Sequence, residues 1–121
     1  MAAALATIRQ IEAEGLVERA RVLGDHALTI MAELASRHRL IGDVRGLGLL
    51  LGLELVRDRE TRERATDEAD RVMYTALERG LSFKVSAGNV LTLTPPLTIS
   101  RAELDRALSI VDECLTEIEA G

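Results

Sequence analysis

The residues of this 121-residue chain that could do chemistry are few and scattered. Lys84, the only lysine, could in principle form a Schiff base with a carbonyl compound. A lone strand lysine is more often a solvated or gatekeeping charge at a sheet edge. His26 and His38 fall on one expected helix with no third ligand at a matching spacing, which favours structural or surface roles over a metal site. Cys114 stands next to the inner stripe of the last expected helix without a histidine near it in sequence. It reads as a small core or boundary residue. Gly46, Gly48 and Gly52 have the outline of a dinucleotide-binding loop, but the third glycine comes one residue late. The segment also continues as strand, so a phosphate would meet no helix N-terminus. No nucleophile, base and oxyanion donors come together in the pattern. Catalytic, cofactor-binding and metal-binding residues are therefore expected to be absent.

Composition narrows the partners. Aromatics make up 2% of the chain, with Tyr74 and Phe83 the whole supply, so the core must be aliphatic and stacking on nucleic-acid bases is not expected. A net charge of −5 argues the same way against a nucleic-acid partner. A single cysteine rules out an internal disulfide and suits a reducing, cytoplasmic compartment. The N-terminal stretch lacks a long apolar core, and Ile41–Val56 is broken by charge and rich in glycine. Neither a signal peptide nor a membrane span is expected.

The elements that must position these residues are organised around Ile41–Val56, IGDVRGLGLLLGLELV. Read as one strand, it places Leu47, Leu49, Leu51, Leu53 and Leu55 on one face. Val44, Gly46, Gly48, Leu50, Gly52 and Glu54 fall on the other, a nearly bare face that something should approach closely. Before it, residues 2–14 form helix closed by Gly15, and a second helix covers about Leu16 to His38. The stripe of that helix is Val17, Ala20, Leu23, Ala27, Ile30, Met31 and Leu34, with Gly24 permitting close packing. After it comes a solvated charged loop, Arg57–Arg64. A helix from about Thr66 to Arg79 follows, capped by Thr66 and closed by Gly80. Leu81–Val85 and Val90–Thr94 read as paired strands around a turn at Ser86–Asn89. Ser100 with Glu103 opens the last helix as a capping box. The order predicts an α+β fold: a small, mostly antiparallel three-stranded sheet with helices packed on one face, preceded by a linker helix (residues 1–15, then a domain over 16–121).

Three runs carry a resemblance: IGDVRGLGLLLGLELVRDRETRE, ALERGLSFKV and GNVLTLTPPLTISRAELDRAL. Together they resemble the C-terminal small domain of class III aminotransferases, the fold type I pyridoxal-phosphate enzymes. That family includes ornithine, 4-aminobutyrate and omega-amino-acid transaminases, with decarboxylase and epimerase relatives. The resemblance spans essentially the whole chain and implies a parent enzyme, normally a homo-oligomer. Such a parent moves an amino group between an amino acid or amine and a 2-oxo acid.

The resemblance also implies that the Schiff-base lysine and the phosphate-binding loops belong to a large domain absent from this sequence. The chain then looks like a fragment, inactive alone, with pyridoxal phosphate held only in the parent. Lys84 does not match the catalytic lysine's motif. In decarboxylase-like and epimerase-like members, the strand before the paired prolines carries an arginine that binds the substrate carboxylate. Thr92 stands at that position here, as the one candidate substrate-binding residue, and threonine cannot hold a carboxylate bidentately. The alternative is an autonomous α+β module for regulation or dimerisation. With the sheet's glycine-rich face uncovered, either reading predicts association through it.

Overall fold

The computed structural model describes the backbone from Ala2 and the side chains from Gly15 to Gly121. The sequence also puts Ala4, Ile8 and Ile11 on one thin apolar face of the first expected helix, and those side chains lie outside the described residues. The elements run α1 (Ala2–Arg37), β1 (Ile41–Leu47), β2 (Leu50–Leu55), α2 (Thr66–Glu78), β3 (Lys84–Ser86), β4 (Val90–Leu93) and α3 (Arg101–Ala120). The fold is α+β, as expected, but the sheet has four antiparallel strands in the order β1-β2-β4-β3.

The fourth strand arises because Ile41–Val56 is a hairpin. Gly48 takes φ +56, and with Leu49 it makes a two-residue turn that pairs Leu47 with Leu50. A positive φ at the first turn residue is what a tight hairpin needs and what glycine supplies without strain. The turn reverses the expected facing of the first half. Directly paired antiparallel residues share a face, so Val44 and Gly46 join Leu53 and Leu51 on the core side. Leu51, Leu53 and Leu55 are fully buried as the period-two reading expects, whereas Leu47 is 81% exposed at the hairpin tip.

Helix α1 is continuous through Gly15, which is not a C-cap. Its buried stripe starts at Ala20 and runs through Leu23, Ala27, Met31 and Leu34, while Val17 is exposed. The stripe lands on the hairpin at very short range. A Cβ on Gly24 would stand 2.1 Å from the Gly48 carbonyl oxygen, and one on Gly46 would meet Leu28 at 2.9 Å. The close approach expected at the bare glycines is therefore made by this chain's own helix. Gly46 and Gly48 are not left for an outside partner.

Arginines pin the loops. Arg59 donates to the carbonyls of Ala35 (2.6 Å) and His38 (2.8 Å) at the end of α1, where carbonyls lack helical partners. Arg62 bridges the Gly42 carbonyl and Glu54. Arg57 reaches Glu68. The Arg57–Arg64 segment is exposed throughout, as expected, and is tied down by these charged contacts. Arg19 of α1 donates to the carbonyls of Leu97 and Ile99, fastening the loop after β4.

Helix α2 begins at Thr66 with Ala65 as its N-cap and no side-chain cap, so Thr66 is the first helical residue and not the cap. Asp67 and Glu68 do occupy the first turn, favourably for the helix dipole. It ends as expected: Gly80, at φ +90, donates to Leu77 while Leu81 donates to Ala76, a Schellman closure. The capping box of α3 is complete in both directions, and its own amide and hydroxyl partners on Ser100 hold the Glu103 carboxyl below the ordinary range. Leu104, Leu108, Val111, Leu115 and Ile118 of α3 join the single core with the stripes of α1 and α2.

His38 closes the far end of that core. It is 4% exposed and its Nε2 lies 2.6 Å from Asp112 Oδ1, while Nδ1 faces Glu119. One side chain thereby joins the C-terminus of α1 to the last turns of α3.

Two outcomes follow from this packing, both read by urea denaturation. Gly15→Ala, where an added Cβ meets nothing, is expected to stabilise by about 0.5–1 kcal/mol. Gly24→Ala gains the same propensity but drives a methyl into the Gly48 carbonyl, and should lose about 1–3 kcal/mol net; equal effects at the two sites would contradict the contact. His38→Ala leaves two half-buried carboxylates facing an empty space and is expected to cost about 2–4 kcal/mol. A cost near zero would mean that the clamp contributes nothing to folding.

Candidate functional site

With α1, α2 and α3 sharing the core, the opposite face of the sheet is uncovered. Alternation decides what stands on it. Cross-strand pairing places Arg45, Gly52, Thr92 and Lys84 in one row, running from β1 through β2 and β4 to β3. The next row is Asp43, Glu54, Val90 and Ser86. Thr92 therefore sits near the middle of the open face, on an interior strand, where the resemblance expects a substrate-facing residue.

The tight β3–β4 connection sets these positions. Ala87 at φ 53 and Gly88 at φ 83 turn the chain between Ser86 and Val90. Asn89, 3% exposed, then locks the turn to β2: its Nδ2 donates to the Leu55 carbonyl at 2.9 Å, and the Leu55 amide donates to the Asn89 carbonyl at 2.8 Å. Each polar group of this buried asparagine that lacks water is thereby partnered, as burial requires. The result is a rigid two-strand platform. On it, Thr92 Oγ1 donates to Ser86 Oγ at 2.9 Å.

Charge is divided unevenly across the face. On the β1 side, Arg45 pairs with Asp43 (3.0 Å) and Glu54, and Glu54 also takes Arg62 (3.1 Å). Those cations are already compensated. On the β3 side Lys84 is exposed and, among the described residues, has no carboxylate within ion-pair distance. The expected apolar surface on this face is thus mostly polar. Leu50 is exposed on this face as expected, and at the hairpin end it joins Leu47, Val17 and Leu97 around a groove of about 510 Å3.

The remaining candidates resolve into structural roles. His26 Nε2 lies 2.6 Å from Asp105 Oδ1 and its Nδ1 accepts from Arg101, joining α1 to α3. His38 is the clamp described above. Cys114 is fully buried in the core, and that burial pushes its thiol above the ordinary range, making it a poor nucleophile. The Gly46–Gly52 segment is a hairpin and cradles no phosphate. Among the described residues no His, Cys, Asp and Glu cluster could hold a metal, and no helix is long and apolar enough to cross a membrane.

The residues present do not fit the pyridoxal phosphate that the resemblance implies. Lys84 is on an exposed edge strand, and neither β-to-α connection offers a free helix N-terminus for a phosphate. That of α3 is occupied by its own Glu103, and that of α2 carries Asp67 and Glu68. What the face can do is contact a small molecule lying on it, through hydroxyls, an ammonium group and the bare backbone of Gly52. The pairing of Thr92 with Lys84 and Ser86 was not read from the sequence, although counting back from Pro96 in steps of two and closing the hairpin at Gly88 would have found it.

Known proteins place this architecture. The profile of the family "Aminotransferase class-III" matches residues 1–115. A leucine/methionine racemase of Thermococcus litoralis is 45% identical over 98% of this chain and 27% of its own length. An (R)-1-hydroxy-2-aminoethylphosphonate ammonia-lyase of Vibrio splendidus is 47% identical over 97% of this chain and 24% of its own. The 5-aminovalerate aminotransferase of Pseudomonas aeruginosa is 36% identical over 97% and 28%. Among solved structures, a Bacillus anthracis aminotransferase superposes with a TM-score of 0.82 at 37% identity, over 94% of this chain and 27% of that one. A PLP-bound amine transaminase from an uncultivated Pseudomonas species superposes with a TM-score of 0.82 at 33% identity, over 97% and 27%. The chain thus spans about a quarter of the length of the relatives it matches, and over that span it is similar to them in sequence and in fold. This chain belongs to the class-III aminotransferase family.

Proposed function

We propose that these 121 residues are the C-terminal small domain of a pyridoxal-phosphate-dependent enzyme, with residues 1–15 joining it to a large domain and 16–121 forming the domain proper. The observation that carries this reading is the match of nearly the whole chain to only 24–28% of each relative. In the parent, the large domain supplies the lysine and phosphate site that the described residues lack. The open sheet face around Thr92 then closes over the substrate. The substrates are an amino acid or amine and a 2-oxo acid, and the parent is a homo-oligomer.

The degree of identity favours a second reading. The racemase and the ammonia-lyase are 45% and 47% identical to this chain, against 36% for the aminovalerate aminotransferase. An isomerase or lyase using the same cofactor would place no demand on a second, 2-oxo acid substrate. Assaying the whole enzyme with an amino acid, with and without pyruvate, separates the two. Alanine formed in step with pyruvate loss supports transamination, and loss of optical activity without pyruvate supports racemisation. Ammonia released without pyruvate supports a lyase, whereas finding the chain expressed without a cofactor-binding large domain would leave the autonomous-module reading.

The 121-residue chain alone is expected to be inactive and to bind pyridoxal phosphate only non-specifically. The check is absorbance titration beside Lys84→Ala. A saturable lysine-linked band lost in that variant would overturn the expectation. For the whole enzyme, Thr92→Arg should improve kcat/KM for alpha-carboxylate donors about tenfold or more, as a charge-assisted bidentate contact of about 1.5–3 kcal/mol would do. Unchanged constants across acidic, neutral and carboxylate-free donors would remove Thr92 from the site.

A further inference from the structure

The apolar residues at the hairpin end are not used by the domain's own packing. Leu47, Leu50, Val17 and Leu97 are all exposed, and all four stand around the same groove of about 510 Å3. Exposed leucines scattered singly need no explanation. Four apolar residues converging on one concavity mark a surface that a partner covers.

The walls of this groove are fixed in advance. The hairpin turn is held where Gly24 meets the Gly48 carbonyl, so Leu47 stands out in solvent on an immobilised tip. The loop bearing Leu97 is held by Arg19, which donates to the carbonyls of Leu97 (2.7 Å) and Ile99. A surface already ordered loses little further freedom when it is covered, and that loss is one of the main costs of docking. Charge points to the chemistry of the partner. Arg21, the ionic residue lining the groove among the described residues, is compensated by Glu18 (2.6 Å) and Asp25 (3.4 Å). The groove therefore calls for an apolar side chain, not for an ion.

Its place in the fold singles out the occupant. The groove lies where α1 leaves the core: the buried stripe of the helix begins at Ala20, whereas the helix itself begins at Ala2. At 1.5 Å per residue, the stretch from Ala2 to Val17 makes about 23 Å of helix ahead of the groove. The relatives carry about three quarters of their length outside the part that matches this chain. A domain joined through residues 1–15 is held by that helix at this end of the molecule, at high effective concentration. A second copy would have to be recruited from solution.

We propose that the groove between Val17, Leu47, Leu50 and Leu97 is the docking site for an apolar patch of the large domain. That such a domain exists in the parent rests on the function proposed above. The rigid hairpin tip sets the relative position of the two domains, and the helix alone does not.

Cysteine labelling tests this. Leu47→Cys puts a thiol on the tip, while the native Cys114 is fully buried and does not react in the folded state. Maleimide labelling is timed in the 121-residue chain and in the whole enzyme, each also in urea to fix the intrinsic rate of the thiol. Labelling is expected to be fast in the chain and more than about tenfold slower in the whole enzyme, where the reagent must wait for local opening. Adding Leu50→Glu, at a site already exposed, should restore fast labelling in the whole enzyme, because docking would desolvate the new charge. Equal rates in chain and enzyme, or protection that survives Leu50→Glu, would overturn the proposal. So would protection already present in the chain and rising with its concentration, since the occupant would then be a second copy. Fast labelling in an enzyme that turns over removes the docking site and leaves the proposed function standing. Protection in an enzyme without turnover supports the docking site and removes that function.

Discussion

The contact between Gly24 and the Gly48 carbonyl governs the rest of the molecule. Only a residue without a side chain lets the α1 axis come that near the hairpin turn. With the helix so close, the leucines of β2 and the stripe of α1 meet without a gap, and interiors close-pack only when such gaps are absent. The same contact determines which side of the sheet is inside. Once α1 lies over Gly46 and Gly48, Leu51, Leu53 and Leu55 must point toward it, and Gly52 and Glu54 must point away.

The charged residues then hold what the apolar core positions. Arg59 and Arg19 satisfy backbone carbonyls at the end of α1 and in the loop after β4, and His38 joins the last turns of two helices. Each replaces water at a polar group that folding would otherwise leave poorly solvated, which is worth more than an exposed ion pair. That accounts for an arginine-rich chain whose charged loop is ordered by hydrogen bonds to backbone and not by apolar contacts. It also leaves the open face as the place where polar groups stand ready without being consumed by the fold.

A domain built this way suits a supporting role in a larger enzyme. It presents a mostly polar surface, held from behind by the Asn89 lock and by the core, with Thr92, Lys84 and Ser86 on it. Relatives described as a racemase, an ammonia-lyase and an aminotransferase are 45%, 47% and 36% identical to the chain over nearly its whole length.

Local physics made much of this legible in advance. The capping box at Ser100, the Schellman glycine at Gly80, the burial of Leu51, Leu53 and Leu55 and the core stripe of α3 all depend on residues a few positions apart, where propensity and periodicity act directly. The helix over Gly15 and the hairpin at Gly48 were misread for a common reason. A glycine can end a helix, continue it or reverse a strand, and tertiary packing chooses among these states at a cost of only about 1 kcal/mol. The open-face site depended on that choice twice over. Thr92 is singled out by a motif alone, whereas its neighbours Lys84 and Ser86 come from a register set by a turn, and the arginine partners come from loops folded back by long-range bonds. The sequence by itself determined the burial of Leu51, Leu53 and Leu55, the closure of α2 at Gly80 and the capping box of α3; the tertiary structure alone decided which polar residues share a face, because that is a property of strand pairing and not of spacing along the chain.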